Sequence, residues 1–272
     1  MSWRDIVKEP DLEFRFCVLG DPVSHSLSPL MHNKALEHLR INGRYEAIRV
    51  SSDEFHECVQ RLIRCGFSGA NVTLPHKSLA AGIAEIKHED VEVLGAANCL
   101  LFDDKIHAKN TDIEGFYKPI SHLKPNSAIV LGAGGASLAV CYALLKKHWQ
   151  VKIYNRTIEK AEQIRQRLNE YGHIEVLQKP NPFGCTLVVN ATSLGLNEDE
   201  IPELMWDGIH PSTIVYDLVY RESDTLFLQK AKSQGLSAID GREMLAEQGA
   251  LSLEWWTGKH APREIMRKAV GL

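Results

Sequence analysis

No apolar run in this 272-residue chain approaches the ~20 residues that a membrane span needs, so no membrane partner is expected. A large excess of one charge is also missing. With a formal net charge of −4, nothing points to nucleic acid or an anionic surface as a partner. The opening stretch MSWRDIVKEP has no apolar segment of the kind a secretory leader carries, so a cytoplasmic location is expected. The six cysteines are scattered and form no CxxC, which suits free thiols in a reducing compartment. The twelve histidines show no HExxH or comparable ligand spacing, so no metal site is expected. Without a secretory route, the Asn-x-Thr triplets at Asn71, Asn155 and Asn190 are silent as glycosylation signals and need another reason.

What is there is an ordinary globular composition, 44 % hydrophobic and 24 % charged, in a chain long enough for about two domains. The first half alternates strand and helix patterns. FRFCVLG (14–20) reads as a strand, a helix follows from about Pro29, RYEAIRV (44–50) is a second strand, and DEFHECVQRLIRCG is a helix before FSGANVTL. That alternation predicts a largely parallel α/β sheet. In ANCLLFDDKIHAKN two short runs flank Asp103 and Asp104, the pattern of a hairpin. In GANVTLPHK, Ala70, Val72 and Leu74 alternate with small polar residues as in a strand that Pro75 stops, delivering Lys77 just beyond it. A second α/β unit starts near Ser127, and REMLAEQGALSLEWW reads as a late amphipathic helix.

Three stretches carry chemistry. VLGAGGAS joins an apolar strand to a helix through a turn in which Gly132 and Gly134 are the first two glycines of GxGxxG and Ser137 takes the third place. Such a turn lets backbone approach a pyrophosphate, whose charge the helix N-terminus favours. An NAD site would place an acid about 20 residues on. Here the sequence runs Lys152-Ile153-Tyr154-Asn155-Arg156-Thr157, with no acid. Arg156 can hold a 2′-phosphate and Thr157 can add a hydroxyl, so the expected cofactor is NADP(H). In GDPVSHSLSP, Ser28 and Pro29 look like an N-cap and first helical residue, and Ser26 two residues earlier makes a hydroxyl pair able to hold a carboxylate.

In order along the chain, HSLSP, GANVTLPHK, LGAANCL, KNTDIEG, GAGGAS, NRT, NATSLG, DLVY and GREMLAEQGALSLEWWTG resemble the shikimate dehydrogenase family, from about Phe16 to Gly258. The resemblance implies an α/β fold. An N-terminal substrate domain over 1–113 precedes a Rossmann-like NADP-binding domain over 114–241, and C-terminal helices over 242–272 return to the substrate domain. It implies reversible NADPH-dependent reduction of 3-dehydroshikimate to shikimate, by a monomer or homodimer. Ser26, Ser28 and Tyr220 would hold the substrate carboxylate. Thr73, Asn98, Asp112 and Gln248 would contact the ring hydroxyls and the reacting oxygen, with Lys77 and Asp112 as the catalytic pair. Gly132, Gly134, Gly135 and Ala136 would form the phosphate turn. Asn155, Arg156 and Thr157 would surround the 2′-phosphate, and Thr192, Leu218 and Gly241 would lie along the path from adenosine to nicotinamide.

Taken alone, Asn98 and Gln248 also fit ordinary satisfied polar residues, and Asp112 fits a helix cap. The chain departs from the family pattern at Cys99, where Thr is usual, at Leu138, where Arg is frequent, and at Arg221, where Asn-Pro usually follows the tyrosine. Two alternatives stand beside the shikimate reading: a quinate or quinate/shikimate dehydrogenase, and a catalytically silent NADP-binding regulator.

Overall fold

The computed structural model describes residues 2–272, which divide into two compact units: residues up to Thr111 with Leu245–Leu272, and Asp112–Met244. The first unit opens with β1 (Phe14–Gly20), α1 (Ser28–His38), β2 (Gly43–Arg49), α2 (Phe55–Arg64), β3 (Gly69–Val72) and α3 (Lys77–Ile83). It continues through β4 (Ile86–Lys87), α4 (Glu89–Leu94), β5 (Cys99–Phe102) and β6 (Ile106–Lys109). The sheet order is β2-β1-β3-β5-β6-β4. The strands β2, β1 and β3 run parallel; β5 is antiparallel to both β3 and β6, so the hairpin around Asp103-Asp104 is present.

Because β1 is central, both of its faces are covered, and its residues alternate between two cores. Cys17 and Leu19 pack with Phe55, Cys58, Leu62 and Ala80 of α2 and α3. Phe16 and Val18 pack with Met31 and Ala35 of α1 and with residues of the C-terminal helices.

GANVTLPHK departs from its sequence pattern. All four residues of β3 are buried, Asn71 included, and the strand ends at Val72, leaving Leu74 69 % exposed. A strand between two paired neighbours hides both faces, so polar residues survive there only when hydrogen-bonded.

The second unit contains α5 (Asp112–Tyr117), β7 (Ser127–Leu131), α6 (Gly135–Lys146), β8 (Gln150–Tyr154), α7 (Ile158–Arg167), β9 (Ile174–Leu177), β10 (Leu187–Asn190), β11 (Ile214–Asp217), α8 (Leu226–Ser233) and β12 (Ser237–Ile239). Its six strands are all parallel in the order β12-β11-β10-β7-β8-β9. Read from the other edge this is 3-2-1-4-5-6, with the order reversing between β7 and β10. β6 ends at Lys109, and Asp112 is the first residue of α5.

The chain closes with α9 (Gly241–Thr257) and α10 (Arg263–Ala269), and the residues from Leu245 onward pack in the first unit. Trp256 secures them there: its indole N–H donates to the Leu100 carbonyl at 2.8 Å and its ring stacks on Phe16. Gly69 makes this possible, because a Cβ there would lie 2.5 Å from the indole nitrogen.

Candidate functional site

In an open α/β sheet, ligands gather beyond the carboxyl ends of the strands where the strand order reverses. In the first unit that place is the end of β1 beside the end of β3. The two exits are tied together: Thr73 N–H donates to Leu19 O at 2.9 Å, and Asp21 N–H to Leu74 O at 3.1 Å. Ser26 and Ser28 follow β1; Thr73 and Lys77 follow β3.

Antiparallel pairing brings two more segments to the same edge. Asn71 of β3 pairs with Cys99, the first residue of β5, and Cys99 pairs with Lys109, the last residue of β6. Asn98 before β5 and Asn110-Thr111 after β6 therefore stand where β3 ends. Within this edge Asn98 Oδ1 accepts from the Thr111 N–H at 2.7 Å, and its Nδ2 donates to Thr111 Oγ1 at 3.0 Å and to Gln248 Oε1 at 3.3 Å.

Beneath lies Asn71. It accepts from the Tyr45 hydroxyl at 2.8 Å and donates to the Asn98 carbonyl at 3.1 Å and Ser252 Oγ at 2.9 Å. Tyr45 in turn stacks on His32, whose ring is fully buried and held neutral, its pKa lowered to about 3 by that burial. Sequence reasoning posed a question about Asn71 but gave no role to Thr111 or Ser252, although both lie within the family motifs.

Lys77 is half-buried and is the first residue of α3; its carbonyl accepts from Ala97 N–H at 2.9 Å, next to Asn98. A cation at a helix N-terminus opposes the helix dipole, so local stability does not account for a lysine there. The serine pair differs from its sequence reading. Ser28 is the first residue of α1, and no side-chain cap is made by Leu27 before it; instead Ser26 Oγ accepts from Ser28 N–H at 3.2 Å. Ser26 does the local capping because it lies far enough ahead of the helix for its oxygen to turn back.

In the second unit the reversal point falls between β7 and β10, and the glycine turn occupies it. Gly132 has φ +104°, and a Cβ there would lie 2.9 Å from Thr192 Cγ2. Gly134 and Gly135 open onto empty space, and Gly134 N–H donates to Ser137 Oγ at 3.3 Å. Ala136 is exposed beside them. The turn therefore offers uncovered backbone at the start of a 12-residue helix. After β8, Asn155 Nδ2 donates to the Thr157 carbonyl at 2.8 Å, and Arg156 and Thr157 are exposed with no acid between 152 and 157. An uncovered glycine turn with an exposed guanidinium at the next strand end fits a dinucleotide bearing a 2′-phosphate. Leu138 is buried in α6, so that position supplies packing and no phosphate contact.

Past β10, Thr192 hydroxyl and N–H both donate to Asn190 Oδ1, at 2.7 and 3.0 Å. Gly241 is so close to the Leu218 carbonyl that a Cβ would collide with it. Tyr220, half-buried, has its phenol pushed up by desolvation, and Arg221 pairs with Glu198 at 2.9 Å. Asp112 is 8 % exposed at the start of this unit, directly after Thr111 in the chain.

The three Asn-x-Thr triplets thus have structural reasons: Asn71 and Asn190 are buried hydrogen-bond hubs, and Asn155 shapes the loop that carries Arg156.

These features define a class, that of α/β proteins pairing a Rossmann-type dinucleotide unit with a unit bearing a polar small-molecule edge. Family descriptions match the chain in three parts: shikimate dehydrogenase substrate binding domain over 18–100, shikimate/quinate 5-dehydrogenase over 117–180, and shikimate 5′-dehydrogenase C-terminal domain over 241–270. The shikimate dehydrogenase (NADP(+)) of Methanopyrus kandleri is 37 % identical, with 93 % of each chain covered. The crystal structure of shikimate 5-dehydrogenase from Thermus thermophilus in complex with NADP(H) and shikimate is 35 % identical, with a TM-score of 0.87 and coverage of 94 % of this chain and 98 % of that one. The ligand-free 5-ketofructose reductase of Gluconobacter sp. strain CHM43 shares the fold with a TM-score of 0.88 at 26 % identity, over 94 % and 97 % of the two chains. The chain belongs to the shikimate dehydrogenase family.

Proposed function

We propose that this protein is an NADP-dependent oxidoreductase that interconverts 3-dehydroshikimate and shikimate, with the first unit binding substrate and the second binding cofactor. The observation that carries the reading is the gathering of Thr73, Lys77 and Asn98 at one sheet edge, in register with the hairpin that delivers Thr111 and leads into Asp112. Gln248 joins them from α9 through Asn98.

When bound, NADPH supplies the hydride to the C3 carbonyl. The residues of the chain do the rest. As the carbonyl oxygen gains charge it needs a proton, and the Lys77 ammonium donates one; in the reverse direction the amine takes it back. Asp112 is the partner carboxylate that orients the substrate hydroxyl and Lys77. Thr73, Asn98 and Gln248 hold the ring hydroxyls. Ser26, Ser28 and Tyr220 hold the carboxylate, a group remote from the reacting carbon that fixes orientation. Gly132, Gly134, Gly135 and Ala136 receive the pyrophosphate, Asn155, Arg156 and Thr157 the 2′-phosphate, and Thr192, Leu218 and Gly241 the remainder of the cofactor.

Among the described residues no helix is long and apolar enough to cross a membrane, and the proposed setting is the cytoplasm, as a monomer or homodimer. The deciding assay follows NADPH absorbance with 3-dehydroshikimate, and the reverse reaction with shikimate and NADP⁺. Parallel arms use quinate with either oxidised cofactor, and 5-ketofructose with NADPH. Turnover confined to the quinate or ketofructose arm would replace the substrate assignment. NADPH binding without turnover in any arm would mark a regulator.

A further inference from the structure

The second sheet buries a carboxylate that the scheme above leaves unused. Asp217 ends β11 with no exposed surface, and its hydrogen-bond partners are Asn190 at the end of β10 and Val219 and Thr225 beyond β11. Its Oδ1 accepts from Asn190 Nδ2 at 2.8 Å and from Val219 N–H at 3.0 Å; its Oδ2 accepts from Thr225 Oγ1 at 2.6 Å. Each partner fixes a further piece of backbone. Asn190 holds Thr192 through Oδ1 and the Leu194 carbonyl through Nδ2, at 3.1 Å. Thr225 caps α8 by accepting from Leu228 N–H at 3.3 Å. The Val219 bond closes a turn around Leu218, whose carbonyl lies against Gly241.

We propose that Asp217 is a positioning residue for NADP(H), holding the loops after β10 and β11 in the shape that presents Thr192, Leu218 and Gly241. The proposal rests on the cofactor assignment above. Simple packing would be served as well by asparagine, which keeps an oxygen for Asn190 and Val219 and buries no charge. It would, however, turn an N–H toward Thr225 Oγ1, which already accepts from Leu228 N–H, leaving the threonine hydroxyl proton without its acceptor. The segment from β11 to α8, which carries Leu218, would then loosen while the Asn190 bond and the sheet beneath stay intact.

Burial raises the Asp217 pKa to about 6, opposed by the hydrogen bonds from Thr225, Val219 and Asn190. Asp240, at the exit of β12 and paired with Arg242 at 2.9 Å, raises it further. Asp224, beside Thr225, is paired with Lys232. A raised carboxyl pKa means that the folded chain binds this proton more readily than the unfolded chain. The charge therefore opposes folding above about pH 6, and that opposition fades as pH falls to the ordinary carboxylate range. The chain keeps a carboxylate here against its own stability.

The test compares wild type with Asp217→Asn, measuring the NADPH dissociation constant calorimetrically from pH 5.5 to 8 and thermal unfolding at each pH. At pH 7.5 the variant melts no lower than wild type yet binds NADPH about 5- to 20-fold more weakly. The ratio of the two constants closes as pH falls through about 6, where Asp217 protonates. The cofactor's 2′-phosphate titrates in the same range but does so for both proteins, so the ratio is the readout. A folded Asp217→Asn with wild-type affinity throughout, or a ratio independent of pH, overturns the proposal. Should Asp217→Asn fail to fold, Thr225→Val removes the same bond from the other side, and a folded Thr225→Val with wild-type NADPH affinity overturns it equally. Wild type that does not bind NADPH brings down the cofactor assignment and this proposal with it.

Discussion

Asn71→Ala tests whether the buried network under the substrate edge holds that edge in place. The substitution removes three buried hydrogen bonds, to Tyr45, Asn98 and Ser252. At about 1 kcal/mol each, with a spread of about half that, the loss is about 3 kcal/mol. Two of the partners keep other bonds, which limits the additional penalty. Ser252 Oγ still donates to the Gln248 carbonyl at 2.9 Å, and the Asn98 carbonyl still accepts from Val72 N–H at 2.8 Å. Units of this size lose roughly 2–4 °C per kcal/mol, so the first unit should melt about 6–12 °C lower. The assay is differential scanning calorimetry, with KM for substrate measured on the same protein at a temperature where it is folded. KM should rise, because Asn98 and Gln248 lose part of the support beneath them. Asn71→Asp should lose more than Asn71→Ala, since it sets a carboxylate oxygen against the Asn98 carbonyl while keeping the Tyr45 bond. A melting temperature within about 2 °C of wild type for Asn71→Ala would refute the reasoning.

Arg156→Ala should weaken NADP(H) by on the order of 10- to 150-fold and leave NAD(H) nearly unchanged, because only the 2′-phosphate loses a charge-assisted partner; similar wild-type kcat/KM with the two cofactors would contradict this. Lys77→Ala should lower kcat by about a thousandfold with KM altered much less, and Lys77→Arg should not restore it, since guanidinium keeps its proton. A folded Lys77→Ala enzyme with more than about a tenth of wild-type kcat would return the lysine to an ordinary surface role. Ser26→Ala should raise KM for substrate and lower stability by about 0.5–2 kcal/mol, the worth of a helix-start hydroxyl. Ser28→Ala should raise KM without that stability loss, and equal melting-temperature losses for the two would contradict the capping geometry.

How much was legible in the sequence differs from residue to residue. The alternation of strand and helix patterns, the glycine turn and the hairpin at Asp103-Asp104 are local, set by periodicity and turn chemistry within a few residues. They appear as read. The exposed Arg156 with no acid beside it was equally local, because a strand end and its following loop lie next to each other in the chain. Ser28 was misread because serine before proline has the composition of a cap, while the helix starts one residue earlier and Ser26 reaches back to it. Leu74 was misread because alternation was carried past the point where β3 loses its last partner.

Asn71, Thr111, Ser252 and Asp217 lie within the family motifs, but no sequence pattern shows which groups they bond. Asn71 meets Ser252 across 181 residues, and Thr111 meets it across 141. Asp217 bonds to Asn190 of the neighbouring strand and to Val219 and Thr225 beyond its own, and the β10–β11 pairing sets the first of these beside it. The sequence alone determined the elements, the dinucleotide turn and the family, because those follow from local geometry and from ordered motifs. Only the tertiary structure decided which polar groups are buried together. A buried polar atom is stable only with a partner, and in this chain those partners are brought close by sheet pairing and a returning helix.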